Sequence, residues 1–229
     1  MTKNNARPRR NDAVKTLMTI VGFLLASVAF LAGLLWISTM FFVNTRPVQG
    51  DPAKFDLIAN LPAIYEWVGT DAKLASMFVR YVKSDGTMDL FADYAPTVSL
   101  EFVRPIQNTS DKPLGAGGTE SGIVYETVWV TISTPNQLRT QTTITNGRRS
   151  SVSYIQRGME LSARGTSENA PVTLPMPACS LKQLWAIALE EGFPSDAVAT
   201  INYSTWGYSI DIKGTDYDLD FGFDCKKRE

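Results

Sequence analysis

Residues 179–225 read CSLKQLWAIALEEGFPSDAVATINYSTWGYSIDIKGTDYDLDFGFDC, and this stretch sets the expected fold class. Ser180 offers a side-chain acceptor at a helix start, and Leu184, Trp185 and Ala188 recur at helical spacing behind it. Gly192 supplies the stop, so a helix is predicted over 181–191. Three runs of strand character follow, at 198–204, 208–213 and 217–224, separated by Gly-containing turns. Helix followed by antiparallel meander is an α+β arrangement. Cys179 and Cys225 bracket the unit, which predicts a structural disulfide tying the helix start to the last strand. Their spacing is unlike the Cys-x-x-Cys of redox sites.

Residues 55–104 have a matching order. A helix is expected over 55–68, with Pro62 as a first-turn residue or kink, then strands over 77–84, 87–93 and 97–104, with Asp85-Gly86 as a hairpin turn. Both units run helix, Gly, an Asp-Ala step (Asp71-Ala72 and Asp196-Ala197), then strands. This is the signature of a duplicated αβββ module, although helix-then-meander is also a common pattern in unrelated chains. Between the units, residues 105–122 form a polar, Gly-rich loop expected to be an internal boundary. Residues 123–164 read as β-hairpin structure, with Asn146-Gly147 as an explicit two-residue turn. A Pro-containing loop over 165–178 then leads to the C-terminal unit.

Upstream, Thr16 to Val43 is 28 residues without a charge, TLMTIVGFLLASVAFLAGLLWISTMFFV. That exceeds the roughly 20 apolar residues a spanning helix needs and the core of a cleavable signal peptide. Cleavage after the small residues Ser27 or Ala29 would strand an apolar tail, so a single-pass signal anchor is expected. Residues 1–15 carry five basic side chains and one acidic one, whereas the rest of the chain has 17 basic and 22 acidic. The positive-inside rule then puts the N-terminus in the cytoplasm and residues 44–229 in the periplasm or outside the cell, with a stalk over 44–54. Gly22, Ala26, Ala29 and Gly33 stack along one stripe of the predicted helix. Small side chains allow close helix approach, so the stripe is a candidate packing face for other membrane subunits or a second copy, or a chance of membrane-helix composition.

Chemistry is harder to find. The chain has no histidine, which removes Ser-His-Asp and Cys-His catalysis and His-containing metal sites. No Gly-x-Ser-x-Gly, Ser-x-x-Lys or Walker loop occurs, and Gly115-Ala116-Gly117-Gly118 precedes a strand rather than a helix. No catalytic residue, metal ligand or cofactor site is therefore assigned. Period-two alternation puts Asp216, Asp218, Asp220 and Asp224 on one strand face, opposite Tyr217, Leu219, Phe221 and Phe223. That face is either solvated, a docking surface for a basic partner, or a hard-cation site. The polar hairpin over 138–156 carries Arg148-Arg149 at its tip, suited to an acidic surface, lipid headgroups or simple edge protection. An acidic exported part argues against nucleic acid as a partner. The expectation is a non-enzymatic, single-pass inner-membrane protein whose exported domain is a binding or assembly subunit of a larger complex. An extracytoplasmic ligand or peptide sensor working through a partner is the alternative, and a carboxylate-based hydrolase a third.

Overall fold

A computed structural model describes residues 18, 21–22, 25–28, 30, 44–107, 122–145 and 148–228. Residues 43–229 form one compact unit, separate from residues 1–42. In chain order the elements are β1 (Asn44–Pro47), a 3-10 turn (Pro52–Lys54), α1 (Leu57–Val68), β2 (Lys73–Lys83), β3 (Thr97–Gln107) and β4 (Ile123–Ile132). They continue with β5 (Gln137–Thr145), β6 (Arg148–Gln156), β7 (Gly158–Ser167), α2 (Leu181–Glu190), β8 (Val198–Ser204), β9 (Gly207–Asp211) and β10 (Asp218–Phe221). The α+β expectation holds at this level: antiparallel sheet dominates and the helices are few and short.

Eight strands make one sheet in the order β1-β7-β4-β3-β2-β8-β9-β10, and β5-β6 is a separate two-stranded ribbon. At the sheet centre β2 pairs antiparallel with β8, Val79 opposite Ile201. Alternation dictates which face closes. Met77, Val79, Leu100, Phe102, Val130 and Ile201 point to one side and are fully buried with the apolar sides of α1 and α2 in one core. Tyr65 of α1 meets Phe102 of β3 edge-on at 5.0 Å. The intervening side chains, among them Ser99, Glu101, Trp129 and Thr200, point the other way and stay partly accessible.

The caps explain where the helices begin. The Asp56 carboxylate accepts from the Ala59 amide at 3.1 Å, and Ser180 Oγ accepts from the Gln183 amide at 3.1 Å. At the end of α1, Arg104 donates to the Val68 carbonyl at 2.7 Å and pairs with Glu126 at 2.7 Å, tying the helix end to β3 and β4. The predicted bridge is present: Cys179 and Cys225 are disulfide-bonded, with Cα atoms 5.7 Å apart.

Several expectations need correction. Residues 44–54 are not a stalk: β1 pairs with β7, Asn44 opposite Leu161, and Trp67 Nε1 donates to Asn44 Oδ1 at 3.2 Å. Pro62 lies inside α1, which starts at Leu57; Phe55 instead bridges Met88. Residues 87–93 do not form a strand, although Met88 and Leu90 are fully buried. The strand pairing back on β2 is β3, and the third strand of that meander is β4. The segment over 105–122 therefore joins two neighbours of one sheet, Gln107 lying opposite Ile123, and separates no units. β7 runs to Ser167, and the last strand is confined to Asp218–Phe221.

Among the described residues no helix is long and apolar enough to cross a membrane. The described part of the 16–43 run is helical, with Met18, Leu25, Val28 and Phe30 exposed.

Candidate functional site: a polar cleft beneath the projecting hairpin

The ribbon β5-β6 is built by a two-residue connection, which fixes Thr145 opposite Arg148 and Arg139 opposite Tyr154. Its base returns to the sheet at Ser133 and Gln156, and a cleft of about 530 Å³ opens between the ribbon and the outward face of β3, β4 and β7. Arg139, Thr140 and Tyr154 form the ribbon wall. Thr97, Thr131, Glu160, Ser162 and Arg164 line the sheet side.

A hydrogen bond joins the wall to the sheet: Tyr154 Oη donates to Glu160 Oε2 at 2.9 Å. Burial, then the hydrogen bond to Glu160 and its negative charge, push the phenol up to about 12, so Tyr154 stays a donor at neutral pH. Gln156 is fully buried at the base. Its Nε2 donates to Ser133 Oγ at 3.0 Å and to the Gly158 carbonyl at 3.3 Å, while among the described residues its Oε1 has no hydrogen-bond partner. A buried amide oxygen without a donor is costly.

Two guanidinium groups face this cleft. Among the described residues Arg139 reaches only the Ser133 hydroxyl, at a long 3.5 Å. Arg164 lies over the Trp129 ring, 5.4 Å from its centroid. Among the described residues neither is paired with a carboxylate. A second, smaller cleft of about 340 Å³ lies beside Lys73, Val103, Tyr125 and Pro171.

The residues singled out in the sequence fall elsewhere. Asp218 and Asp220 do share the outward, exposed side of β10, opposite Asp211 and Ser209. Asp216 sits in the turn before the strand, and Asp224 lies beyond it, 3.7 Å from Lys226 Nζ. The four acids therefore do not form one strand face. Asp211, which the alternation did not flag, faces Asp218 across the strand pair. Burial, and then the Asp218 charge, raise the Asp211 carboxyl above its ordinary value. Among the described residues no group of three or more metal-ligating side chains comes together.

Arg149 is exposed beside the ribbon turn, while Asn146 and Gly147 lie outside the described residues. Gly22 and Ala26 are helical and exposed; Ala29 and Gly33 lie outside the described residues, as do Gly115 to Gly118. The sequence reading missed Arg139, Glu160 and Arg164. A signal for part of it was present, because the two-residue turn at Asn146-Gly147 already dictates that Arg139 faces Tyr154.

No family model matches the chain, and neither a curated protein nor a solved structure matches it.

Proposed function

We propose that this chain is a membrane-anchored binding subunit, held by the helix over 16–43 and presenting residues 44–229 on the far side of the inner membrane as part of a larger complex. The observation that carries the reading is the one-sided sheet. Both helices close one face, and the other face, with the ribbon standing beside it, is left polar and accessible. The 28-residue uncharged run and the basic residues before it support the anchor and its orientation. Exposed apolar side chains along the helical part of that run also favour lipid or a partner helix as their surroundings.

The same reading includes an internal duplication. The order β4-β3-β2-β8-β9-β10 sets two helix-then-meander units side by side, with the first strand of each pairing antiparallel to the first of the other. A local two-fold axis through the β2-β8 pair is what duplication of an αβββ module leads to. The cleft beneath the ribbon favours a second reading, a ligand sensor that signals through a partner.

The test is purification from native membranes in mild detergent, sizing on a native gel and identification of co-purifying chains by mass spectrometry. A large stoichiometric complex is expected. Exchanging Gly22, Ala26, Ala29 and Gly33 for Leu is expected to release partners while the domain still folds. A clean monomer or homodimer overturns the subunit reading.

A further inference from the structure

We propose that the cleft beneath the ribbon is a binding site for an acidic saccharide, a chain of hydroxylated sugar units bearing carboxylates. The inference deepens the binding-subunit reading and rests on it for the exposure of this face outside the cytoplasm.

The chemistry of the lining selects the ligand. Of the residues that line the cleft, six bear hydroxyls, one a carboxylate, one an amide and two a guanidinium, while Ala163 is the one with a purely apolar side chain. Such a lining is richer in polar than in apolar surface, so it disfavours peptides and lipids whose affinity comes from apolar area. It matches a polyol, each hydroxyl of which both donates and accepts. The fixed acceptor is the Glu160 carboxylate, already held by Tyr154. Sugar hydroxyls supply O–H groups to its remaining lone pairs.

The charge adds the second requirement. Among the described residues Arg139 and Arg164 reach only a hydroxyl and a ring face, so their guanidinium forks are open to a planar carboxylate, which they can take bidentately. Glu160 restricts the choice further: it repels an anion that offers no hydroxyl to bond it. A free polyanion such as an acidic peptide therefore meets repulsion where a uronic acid chain meets an acceptor. Trp129, under Arg164, gives an aromatic surface at that end of the same face.

The experiment uses the full chain in a polyoxyethylene detergent, since a sugar-based detergent would compete. Calorimetric titration compares tetragalacturonate with maltotetraose, which has the hydroxyls without the charge, and with tetraglutamate, which has the charge without the hydroxyls. Tetragalacturonate is expected to bind, and the other two at least about tenfold more weakly. Arg139→Gln and Arg164→Gln are each expected to weaken binding about 10- to 100-fold, the factor for one lost charge-assisted hydrogen bond. Asp220→Asn, at the far edge of the sheet, is expected to leave it unchanged. On the unmutated chain, tetragalacturonate is expected to protect Arg139 and Arg164, but not Arg228, from an arginine-modifying dicarbonyl. That readout holds even where a variant fails to fold.

No heat with tetragalacturonate at millimolar concentration, equal binding of tetraglutamate or maltotetraose, or unprotected Arg139 and Arg164 each overturns the assignment. Because the titration is done on the purified chain, a protein that captures membrane partners yet ignores the saccharide overturns the ligand and spares the subunit reading. A protein that binds the saccharide without partners does the reverse.

Discussion

Replacing both Cys179 and Cys225 with Ala removes the link that closes the C-terminal unit, and the cost can be worked from the loop it spans. The two residues are 46 positions apart. Chain-entropy arithmetic for a closure of that size gives roughly 4 kcal/mol at room temperature, acting chiefly on the unfolded chain. A domain of this kind has roughly 5–15 kcal/mol in total, so the loss is a large share of it. The native surroundings add to the cost. Cys179 is fully buried, and its backbone N–H donates to Tyr208 Oη at 3.3 Å, beside the Tyr203–Tyr208 ring stack. Urea unfolding of the full chain, followed by tryptophan fluorescence, measures the effect, with the unmutated chain under reductant as a second arm. The expected result is a loss of about 3–5 kcal/mol and a steeper dependence on urea, since an unlinked chain exposes more surface when unfolded. A loss below about 1 kcal/mol in both arms, with unchanged steepness, would refute the reasoning: the bridge would then restrain nothing that the strand pairing does not already hold.

Three further outcomes follow from the packing. Asn44→Ala with Arg46→Ala removes the Trp67 hydrogen bond and the Arg46–Trp67 contact at 5.1 Å, and thermal unfolding should record a loss of about 1.5–2 kcal/mol; a loss under about 0.5 kcal/mol is what a free stalk would give. Gly86 has φ +83°, and a β-carbon there would overlap the Lys182 backbone. Gly86→Ala should therefore cost clearly more than Gly214→Ala, which has φ +80° but open space and should lose only about 1 kcal/mol; equal losses would mean that the turn does not rest on α2. Asp211 has a raised carboxyl pKa, so the folded state holds its proton more tightly than the unfolded one. Its contribution is favourable below the ordinary carboxylate range and is lost as pH rises through the folded value. Asp211→Asn should accordingly stabilise the chain at pH 7 by about 0.2–1 kcal/mol, a like-charge cross-strand pair being relieved, with the gain vanishing in acid; a destabilised variant at pH 7 would show that Asp211 is instead held by a favourable partner.

How far the sequence carries depends on whether the deciding interaction is local. The ribbon was legible because Asn146-Gly147 sets its register within its own nineteen or so residues, and α2 because Ser180 caps it from the adjacent position. β1 was not. Asn44–Pro47 has no apolar alternation, and its strand geometry comes from β7, more than a hundred residues later in the chain. Met88 and Leu90 alternate like a strand, but burial and a single bridge from Met88 to Phe55 satisfy that pattern equally well in a segment that forms no strand. The boundary expected at 105–122 failed for the converse reason. A long polar loop gives no sign of whether the strands on either side pair, and β3 and β4 do so along their whole length. The cleft follows the same rule. It brings together Thr97, Arg139 and Arg164, and no local pattern links residues at such separations.

The location of the cleft bears on the proposed duplication. If the two αβββ units are set aside, with β2-β3-β4 and β8-β9-β10 as their meanders, what remains in the sheet region is β1, the ribbon β5-β6 and β7. All of these belong to the β4 side of the first unit, and none has a counterpart beyond β10. The cleft is lined by the ribbon, by β7 and by the ends of β3 and β4. A duplicated frame that supplied the binding chemistry itself would carry a related site in each half. Here the guanidinium groups and the Tyr154–Glu160 pair reside on the added strands. On the proposed duplication, the repeat would account for the core and for the outward face, and the addition at one end for the proposed site. On that division, substitutions at the β2-β8 seam should alter stability with little effect on saccharide affinity, whereas Arg139 and Arg164 should alter affinity with little effect on stability.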